Sequence, residues 1–243
     1  MKNSLLLLTG WGSTHHVWDR IIPALLTSDQ IVNVIPPWMA NSQIGASLGD
    51  LDNYVDTLAA SISTPRDIIA WSMGGLIAIR LANRHPACVN KLVFISSSPQ
   101  FVDPASTSTT AIDPHWFSDF RHQFQRQPEK TLRRFQSMLV AGDKHAREVL
   151  RHLRSEAQVC DFDFNECRLG LDLLEQDFRQ DLISINHPFC FIQGLNDSVL
   201  NAHAIEVFSQ QIHAELILLE ATGHVPQLSD PELLAAHIKC FLQ

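Results

Sequence analysis

The sequence predicts an α/β fold, in which a mostly parallel sheet is flanked by helices and interrupted by an inserted helical segment. Two observations predict this fold class. Short apolar runs alternate with helical patterns in the N-terminal part of the chain and again near the C-terminus. The stretch between these two parts has helical periodicity only. A length of 243 residues provides enough material for a large core.

Compact apolar runs, bounded by turn residues, have the length of strands that are buried on both faces. They occupy residues 5–8, 31–35, 68–71, 92–95, 189–192 and 216–219. The segments between and after them have the length and spacing of helices. These predicted helices occupy residues 18–26, 51–62, 76–83, 202–210 and 233–242. This alternation predicts right-handed crossovers in a parallel sheet.

The middle of the chain is expected to be a separate helical layer. It contains amphipathic stretches rich in Arg, Gln and Phe. We therefore divide the chain into an α/β core of residues 1–110 and 181–243 and a helical lid insertion of residues 111–180. A Ser/Thr-rich stretch at residues 106–110 is the expected flexible joint between them. Such insertions usually lie over the carboxyl ends of the strands, where ligands bind.

Composition and charge exclude several classes of protein. Hydrophobic residues make up 45% of the chain and charged residues 18%, which is typical of a globular protein rather than a disordered chain or a coiled coil. A formal net charge of -8 argues against nucleic-acid binding. The five cysteines lack the spacing of a disulfide framework or a metal site. The N-terminal apolar run is too short for a signal peptide or a membrane span. We therefore expect a cytoplasmic monomer that binds no metal, no nucleic acid and no membrane.

The strongest local motif is a buried strand that runs through Ser72 into a helix. Small residues stand two positions before and two positions after this Ser, as in the motif Gly-x-Ser-x-Gly, with Ala70 at the first Gly and Gly74 at the second. The small residues are needed because the Ser lies on a tight turn, where larger neighbours would collide. The pattern predicts a nucleophilic Ser72, and an ordinary strand-to-helix turn is the alternative.

A nucleophilic Ser needs a His base and an acid that orients the His. With this turn, the three residues follow one another in the order Ser, acid, His. Asp197 follows the apolar run 189–192 through a Gly/Asn turn, and His224 follows the run 216–219. Both therefore leave the carboxyl edge of the predicted sheet, as Ser72 does. The sequence predicts Ser72, Asp197 and His224 as the catalytic residues.

An ester-cleaving site also needs N–H donors for the oxyanion of the reaction intermediate. One donor is the backbone N–H of the residue after the nucleophile, which is Met73. The other comes from the loop after an early strand, and here Trp11 stands between two glycines. The flanking glycines indicate an unusual backbone conformation. We therefore predict that Trp11 and Met73 form the oxyanion hole.

These motifs, in this order, resemble those of the α/β-hydrolase superfamily over nearly the whole chain. Segments 10–12, 71–76, 93–99 and 124–146 look like the pimeloyl-acyl carrier protein methyl ester carboxylesterases of biotin synthesis. The resemblance implies a serine carboxylesterase that hydrolyses the methyl ester of pimeloyl-acyl carrier protein, releases methanol and uses no cofactor. It also implies that the substrate contacts Trp11, Ser72, Met73, Phe135, Gln136, Ser137, Met138, Leu139 and His224.

The predicted lid is basic although the whole chain is acidic. Residues 115–154 contain nine Lys and Arg and four Asp and Glu. A basic surface over the site would attract an acidic partner, and acyl carrier proteins are acidic. Pairs of basic residues four positions apart can share one helix face. The resemblance implies that the carrier protein binds Lys130, Arg134, Arg147 and Arg151. The alternative is a solvated helix face without a partner.

Other functions are compatible with the same fold, because a fold does not determine the chemistry. One is a generic carboxylesterase or a thioesterase that acts on small acyl esters. A lyase of menaquinone synthesis is another. The third is a non-catalytic binding protein that retains the three residues without turnover.

Overall fold

The computed structural model describes residues 4–25, 31–42, 44–103, 112–159 and 161–243. Within these ranges the chain forms one six-stranded sheet with the strand order β2-β1-β3-β4-β5-β6. All neighbouring strands in it are parallel. The strands are β1 (Leu5–Leu8), β2 (Ile31–Asn33), β3 (Arg66–Trp71), β4 (Val89–Ile95), β5 (Phe189–Gly194) and β6 (Glu215–Leu219). The predicted sheet is confirmed.

Helices flank the sheet and fill the segment between β4 and β5. They are α1 (Ile22–Leu25), α2 (Leu51–Ala60), α3 (Gly74–Arg84), α4 (Pro114–Arg126), α5 (Pro128–Leu139), α6 (Ala146–Val159), α7 (Phe164–Leu174), α8 (Arg179–Ile183), α9 (Ala202–Gln211), α10 (Pro226–Ser229) and α11 (Pro231–Leu242). Several begin where the local chemistry favours a start. The Asp50, Asp113 and Asn201 side chains accept hydrogen bonds from the first turns of α2, α4 and α9.

The helix predicted at residues 18–26 is confirmed only at residues 22–25; it is wrong for residues 18–21, and residue 26 lies outside the described residues. The chain instead forms a 3₁₀ turn at His15–Trp18 and the short helix α1. Pro23 has no N–H, so it cannot continue a helix from the preceding turn. The buried Trp18 indole also donates a hydrogen bond to Thr9 Oγ1 at 3.0 Å, which ties the turn to the loop after β1.

Two further predictions concern the ends of elements. The strand predicted at residues 31–35 ends at Asn33, because Pro36 and Pro37 follow closely and cannot donate to a neighbouring strand. The expected joint at residues 106–110 lies outside the described residues.

The central strands place the loops that carry the site at one edge of the sheet. β3 lies between β1 and β4, and its Ala70 pairs with Leu8 on one side and Phe94 on the other. Both partners lie in the apolar core together with most of β5. Because all strands are parallel, the loops after β1, β3, β4, β5 and β6 leave the same edge of the sheet.

The lid helices pack on the loop that follows β1. The indole ring of Trp11 makes edge contacts with Phe120 and Phe124 of α4 and with Phe135 of α5, at centroid distances of 5.6, 5.3 and 5.1 Å. Its Nε1 donates a hydrogen bond to the carbonyl of Cys167 in α7 at 2.6 Å. Helices from both sides of the insertion therefore meet above one loop of the core. In the part of the chain described, no helix has both the length and the apolar character needed to cross a bilayer.

Candidate active site

Ser72 lies on a strained turn between β3 and α3. Its φ of 54° is in the left-handed region, which a residue with a side chain rarely adopts. A hydrogen bond of 2.9 Å from its N–H to the carbonyl of Ile95 holds the turn against β4. A Cβ at Gly74 would lie 2.5 Å from the carbonyl oxygen of Leu8, so only Gly fits there. Gly74 thus has the steric role that the sequence predicted for it.

A second serine supports the turn from β4. The Ser97 hydroxyl donates a hydrogen bond of 2.8 Å to the carbonyl of Ser72. A Cβ at Gly75 would overlap this hydroxyl, so Gly75 allows the segment of Ser97 to pack closely against the start of α3. Sequence reasoning missed Ser97. The run of three serines directly after β4 was the available signal.

His224 connects Ser72 to Asp197. His224 Nε2 lies 3.0 Å from Ser72 Oγ, and its Nδ1 lies 2.7 Å from Asp197 Oδ2. The side chains of His224 and Asp197 are fully buried, and Ser72 is 6% exposed. A Ser, a His and an acid in this contact can activate the hydroxyl as a nucleophile, because the His accepts its proton and the carboxylate stabilises the imidazolium.

The Asp197 carboxylate has a complete set of donors. Its Oδ1 accepts from the backbone N–H groups of Val199 and Leu200 at 2.8 and 2.9 Å. Its Oδ2 accepts from Gln193 Nε2 at 2.7 Å in addition to His224. These bonds compensate the charge of a carboxylate that is removed from water. Sequence reasoning missed Gln193, although it stands four positions before the predicted acid.

The loop of His224 is tied to the core and to the lid. The Trp71 indole donates a hydrogen bond of 2.7 Å to the carbonyl of His224, and the two rings lie 5.7 Å apart. The N–H of His224 donates to the carbonyl of Leu139, the last residue of α5, at 3.2 Å. The imidazole is therefore oriented from both sides of the site.

The segments of the two predicted oxyanion donors lie against the nucleophile turn. A Cβ at Gly10 would lie 2.8 Å from Ser72 Cβ, so the loop that carries Trp11 passes close above the nucleophile. A Cβ at Gly170 of α7 would lie 2.8 Å from Trp11 Cδ1 and 3.4 Å from Met73 Sδ. The side chains of Trp11 and Met73 thus share one neighbour on the lid.

The five lid residues that the resemblance assigned to the substrate divide into two groups. Phe135, Met138 and Leu139 lie on the side of the site: Phe135 contacts Trp11, and the carbonyls of the other two accept from the Asp197 and His224 loops. Gln136 and Ser137 face α6, where they bond to Leu153 and Arg154. Their role in substrate binding stays a prediction.

The four basic residues assigned to the carrier protein are all exposed: Lys130, Arg134, Arg147 and Arg151. Among the residues that the structure describes, none of the four forms an ion pair. By contrast, Arg121 pairs with Asp172 and Glu175, and Lys144 pairs with Asp230 at 2.7 Å. The four side chains therefore present uncompensated charge to the solvent.

Within the described ranges, no group of three His, Cys, Asp or Glu side chains is placed to hold a metal ion. The described cysteines, Cys88, Cys167, Cys190 and Cys240, are free thiols. Burial raises the pKa of the Cys190 thiol to about 12. This thiol is therefore a packing group in β5 rather than a second nucleophile.

Comparison with known families agrees with this geometry. Residues 3–231 match the alpha/beta hydrolase fold family. The chain belongs to the α/β-hydrolase family. Among solved structures, this hydrolase superimposes on a bromoperoxidase from Bacillus anthracis with a TM-score of 0.88 and 16% identity, covering 100% of this chain and 92% of that one. An esterase from Exiguobacterium antarcticum gives a TM-score of 0.85 and 17% identity, covering 99% and 91%. At these identities the likeness shows the fold.

Curated relatives of this hydrolase are similar over its whole length. A pimeloyl-[acyl-carrier protein] methyl ester esterase from Pectobacterium carotovorum is 31% identical over 100% of this chain and 95% of its own length. The esterase of that name from Aeromonas hydrophila is 29% identical over 98% and 94%. A biotin biosynthesis bifunctional protein from Teredinibacter turnerae is 29% identical, and the chain spans 45% of its length. The predicted fold and the predicted carboxylesterase class are confirmed.

Proposed function

We propose that this hydrolase cleaves the methyl ester of pimeloyl-acyl carrier protein and releases methanol, with Ser72 as nucleophile, His224 as general base and Asp197 as the orienting acid. The observation that carries the proposal is the contact of His224 with both partners, 3.0 Å from Ser72 Oγ and 2.7 Å from Asp197 Oδ2. Such a chain of contacts is built for acyl transfer through a covalent intermediate.

The chemical steps follow from this geometry. His224 Nε2 takes the proton of Ser72 Oγ as the oxygen attacks the ester carbonyl. The N–H groups of Trp11 and Met73 hold the oxyanion, and a single donor of this kind contributes about 100- to 1000-fold in kcat. His224 then returns the proton to the leaving methoxide, which departs as methanol. Water enters, gives a proton to His224 and attacks the acyl-enzyme carbonyl. His224 returns this proton to Ser72 Oγ as the acyl–oxygen bond breaks, which releases the acid and restores Ser72.

Two observations support a carrier-bound substrate. Four exposed basic side chains without ion pairs in the described part of the chain lie on α5 and α6: Lys130, Arg134, Arg147 and Arg151. An acidic partner would be drawn to them. The curated relatives that this chain covers almost completely bear the name pimeloyl-[acyl-carrier protein] methyl ester esterase.

The test is hydrolysis of pimeloyl-acyl carrier protein methyl ester, followed as release of the free acid. We expect the wild-type protein to cleave this substrate and Ser72→Ala to lose about six orders of magnitude in kcat. Ser61→Ala, an exposed serine after α2, is the matched control and should cleave normally. A p-nitrophenyl ester serves as the second substrate.

The outcomes separate the alternatives. Cleavage of the small ester alone would favour a generic carboxylesterase or thioesterase and contradict the proposed substrate. No cleavage of either substrate, together with no labelling of Ser72 by a fluorophosphonate, would favour a non-catalytic binding protein.

The proposed division into a core of residues 1–110 and 181–243 and a lid of residues 111–180 is supported by the run of helices α4 to α7 between β4 and β5. Helix α8 (Arg179–Ile183) crosses the proposed boundary at residue 180. The expectations of a monomer and of a cytoplasmic location stay predictions, and sedimentation of the purified protein tests the first.

A further inference from the structure

The turn between α5 and α6 is joined to both loops that carry the acid and the base. On the Asp197 side, Ser198 Oγ donates to the carbonyl of Met138 at 2.6 Å, and Asn196 Nδ2 donates to the carbonyl of Gly142 at 2.8 Å. Gly142 has a φ of 81°, and a Cβ there would lie 2.8 Å from the carbonyl oxygen of Asn196. The turn is therefore seated closely against the loop of the acid.

On the His224 side the contacts converge on Asp143. Its Oδ2 accepts from the N–H of Gly223, the residue before His224, at 2.8 Å. Its Oδ1 accepts from Ser229 Oγ at 2.7 Å and from the N–H of His145 at 2.6 Å. The partly buried carboxylate thus joins its own turn, the loop after β6 and helix α10.

The packing around Gly223 leaves little room for the loop to shift. A Cβ at Gly223 would lie 3.1 Å from Asp143 Cβ and 3.4 Å from the carbonyl oxygen of Leu139. A hydrogen bond from a backbone N–H to a carboxylate is about twice as strong as one between neutral groups. Removing the carboxylate would leave the N–H of buried Gly223 without its acceptor and would free the backbone next to His224.

We propose that Asp143 is a positioning residue for the proposed reaction: its carboxylate fixes the loop of His224 so that Nε2 stays within hydrogen-bonding distance of Ser72 Oγ. This role rests on the proposed function of Ser72 and His224. Asp143 touches neither the nucleophile nor the reacting ester. It acts through the backbone of Gly223, and neither the motif nor the resemblance pointed to it.

The test compares Asp143→Ala with Lys144→Ala, the neighbouring residue, whose side chain pairs with Asp230 and does not contact Gly223. Substrate is a small p-nitrophenyl ester, so that carrier binding plays no part. We expect Asp143→Ala to lower kcat and the rate of fluorophosphonate labelling of Ser72 about 10- to 100-fold, because a displaced base loses its alignment. KM should change less than about twofold, since the contact does not bind substrate.

Two further variants complete the experiment. Asp143→Asn keeps an acceptor oxygen for Gly223 but turns an amide NH2 group toward the N–H of His145, so it should recover part of the lost kcat. Asp143→Ser lacks the carboxylate but keeps a polar side chain in the turn, and its kcat should fall as in Asp143→Ala. It replaces Asp143→Ala if that variant fails to fold, which thermal unfolding of each variant shows.

The results separate this role from the proposed function. Active wild-type protein with an Asp143→Ala variant that matches Lys144→Ala in kcat and labelling would overturn the role of Asp143 alone. If Asp143→Ala does not fold, kcat and labelling in Asp143→Ser that match those of Lys144→Ala would overturn it. Wild-type protein that neither cleaves the ester nor becomes labelled would overturn the proposed function and this role with it.

Discussion

Gln193 donates a hydrogen bond to the same oxygen of Asp197 that faces His224. The distance from Gln193 Nε2 to Asp197 Oδ2 is 2.7 Å, equal to the distance from that oxygen to His224 Nδ1. Gln193 is 1% exposed and lies at the end of β5. The Gln193 amide and the His224 imidazole therefore bind the same oxygen of Asp197, while two backbone N–H groups donate to the other carboxylate oxygen.

Gln193→Leu should lower kcat more than it changes KM. Without the amide donor, the buried Asp197 carboxylate loses one of its four hydrogen bonds and is held less firmly against His224. We expect kcat for a p-nitrophenyl ester to fall about 3- to 10-fold in steady-state kinetics. Gln210→Leu, an exposed glutamine at the end of α9, is the control. A kcat in Gln193→Leu that equals that of Gln210→Leu would contradict this role of the amide.

Reversal of the lid charges should affect the carrier-bound substrate only. The double variant Arg147→Glu and Arg151→Glu places two acids on a face that is proposed to meet an acidic protein. We expect kcat/KM for pimeloyl-acyl carrier protein methyl ester to fall at least about tenfold, and kcat/KM for a p-nitrophenyl ester to stay unchanged. Lys239→Glu on α11, a single charge reversal away from the lid, is the control. Equal losses with both substrates would show that the lid was damaged instead.

Gly74→Ala should destabilise the protein and reduce its activity together. The added Cβ would lie 2.5 Å from the carbonyl oxygen of Leu8 and 2.8 Å from its carbon, and both are backbone atoms that cannot rotate away. We expect a loss of about 1–3 kcal/mol in the free energy of unfolding, measured with denaturant. Gly45→Ala, whose added Cβ would meet no atom of the described residues within 4 Å apart from its own chain neighbours, should unfold like the wild type. Equal stability of the two variants would rule out this steric role.

The surface pair of Asp56 and Arg84 should contribute to stability only above strongly acidic pH. The hydrogen bond from Arg84, followed by that from His85, lowers the pKa of Asp56 from 3.8 to about 2. Because the folded pKa lies below the unfolded one, the contribution is present above the unfolded pKa and is lost as the pH falls through the folded pKa. The melting temperature of Asp56→Asn should therefore depend less on pH than that of the wild type between about pH 5 and about pH 2.

The effect of Asp56 should be small, since the carboxylate is exposed to solvent and screened by salt. Asp119→Asn, which removes an exposed carboxylate from α4, is the control and should follow the wild-type slope. If Asp56→Asn also follows that slope, the ion pair makes no contribution to folding.

The sequence alone was sufficient to predict the six strands and to name Ser72, Asp197 and His224, whose side chains the structure brings into contact. Buried strands are continuous apolar runs, and the motif around Ser72 needs small residues within a few positions of one another. Such signals are local, so they can be read without the fold. The positions of Asp197 and His224 then follow from parallel topology, because each comes directly after a predicted strand.

Only the tertiary structure decided which distant groups hold that site in place. Ser97 donates a hydrogen bond to the carbonyl of Ser72, and Gln193 donates one to Asp197. Asp143 accepts one from the N–H of Gly223, which lies 80 residues later in the chain and directly before His224. Nothing local marks these partners, since a hydrogen bond depends on distance in space and not on spacing along the chain. The helix predicted at residues 18–26 begins only at Ile22 for a related reason: the hydrogen bond from the buried Trp18 indole to Thr9 contributes to the conformation of the preceding turn. Local patterns therefore determined the chemistry, and long-range packing determined its geometry.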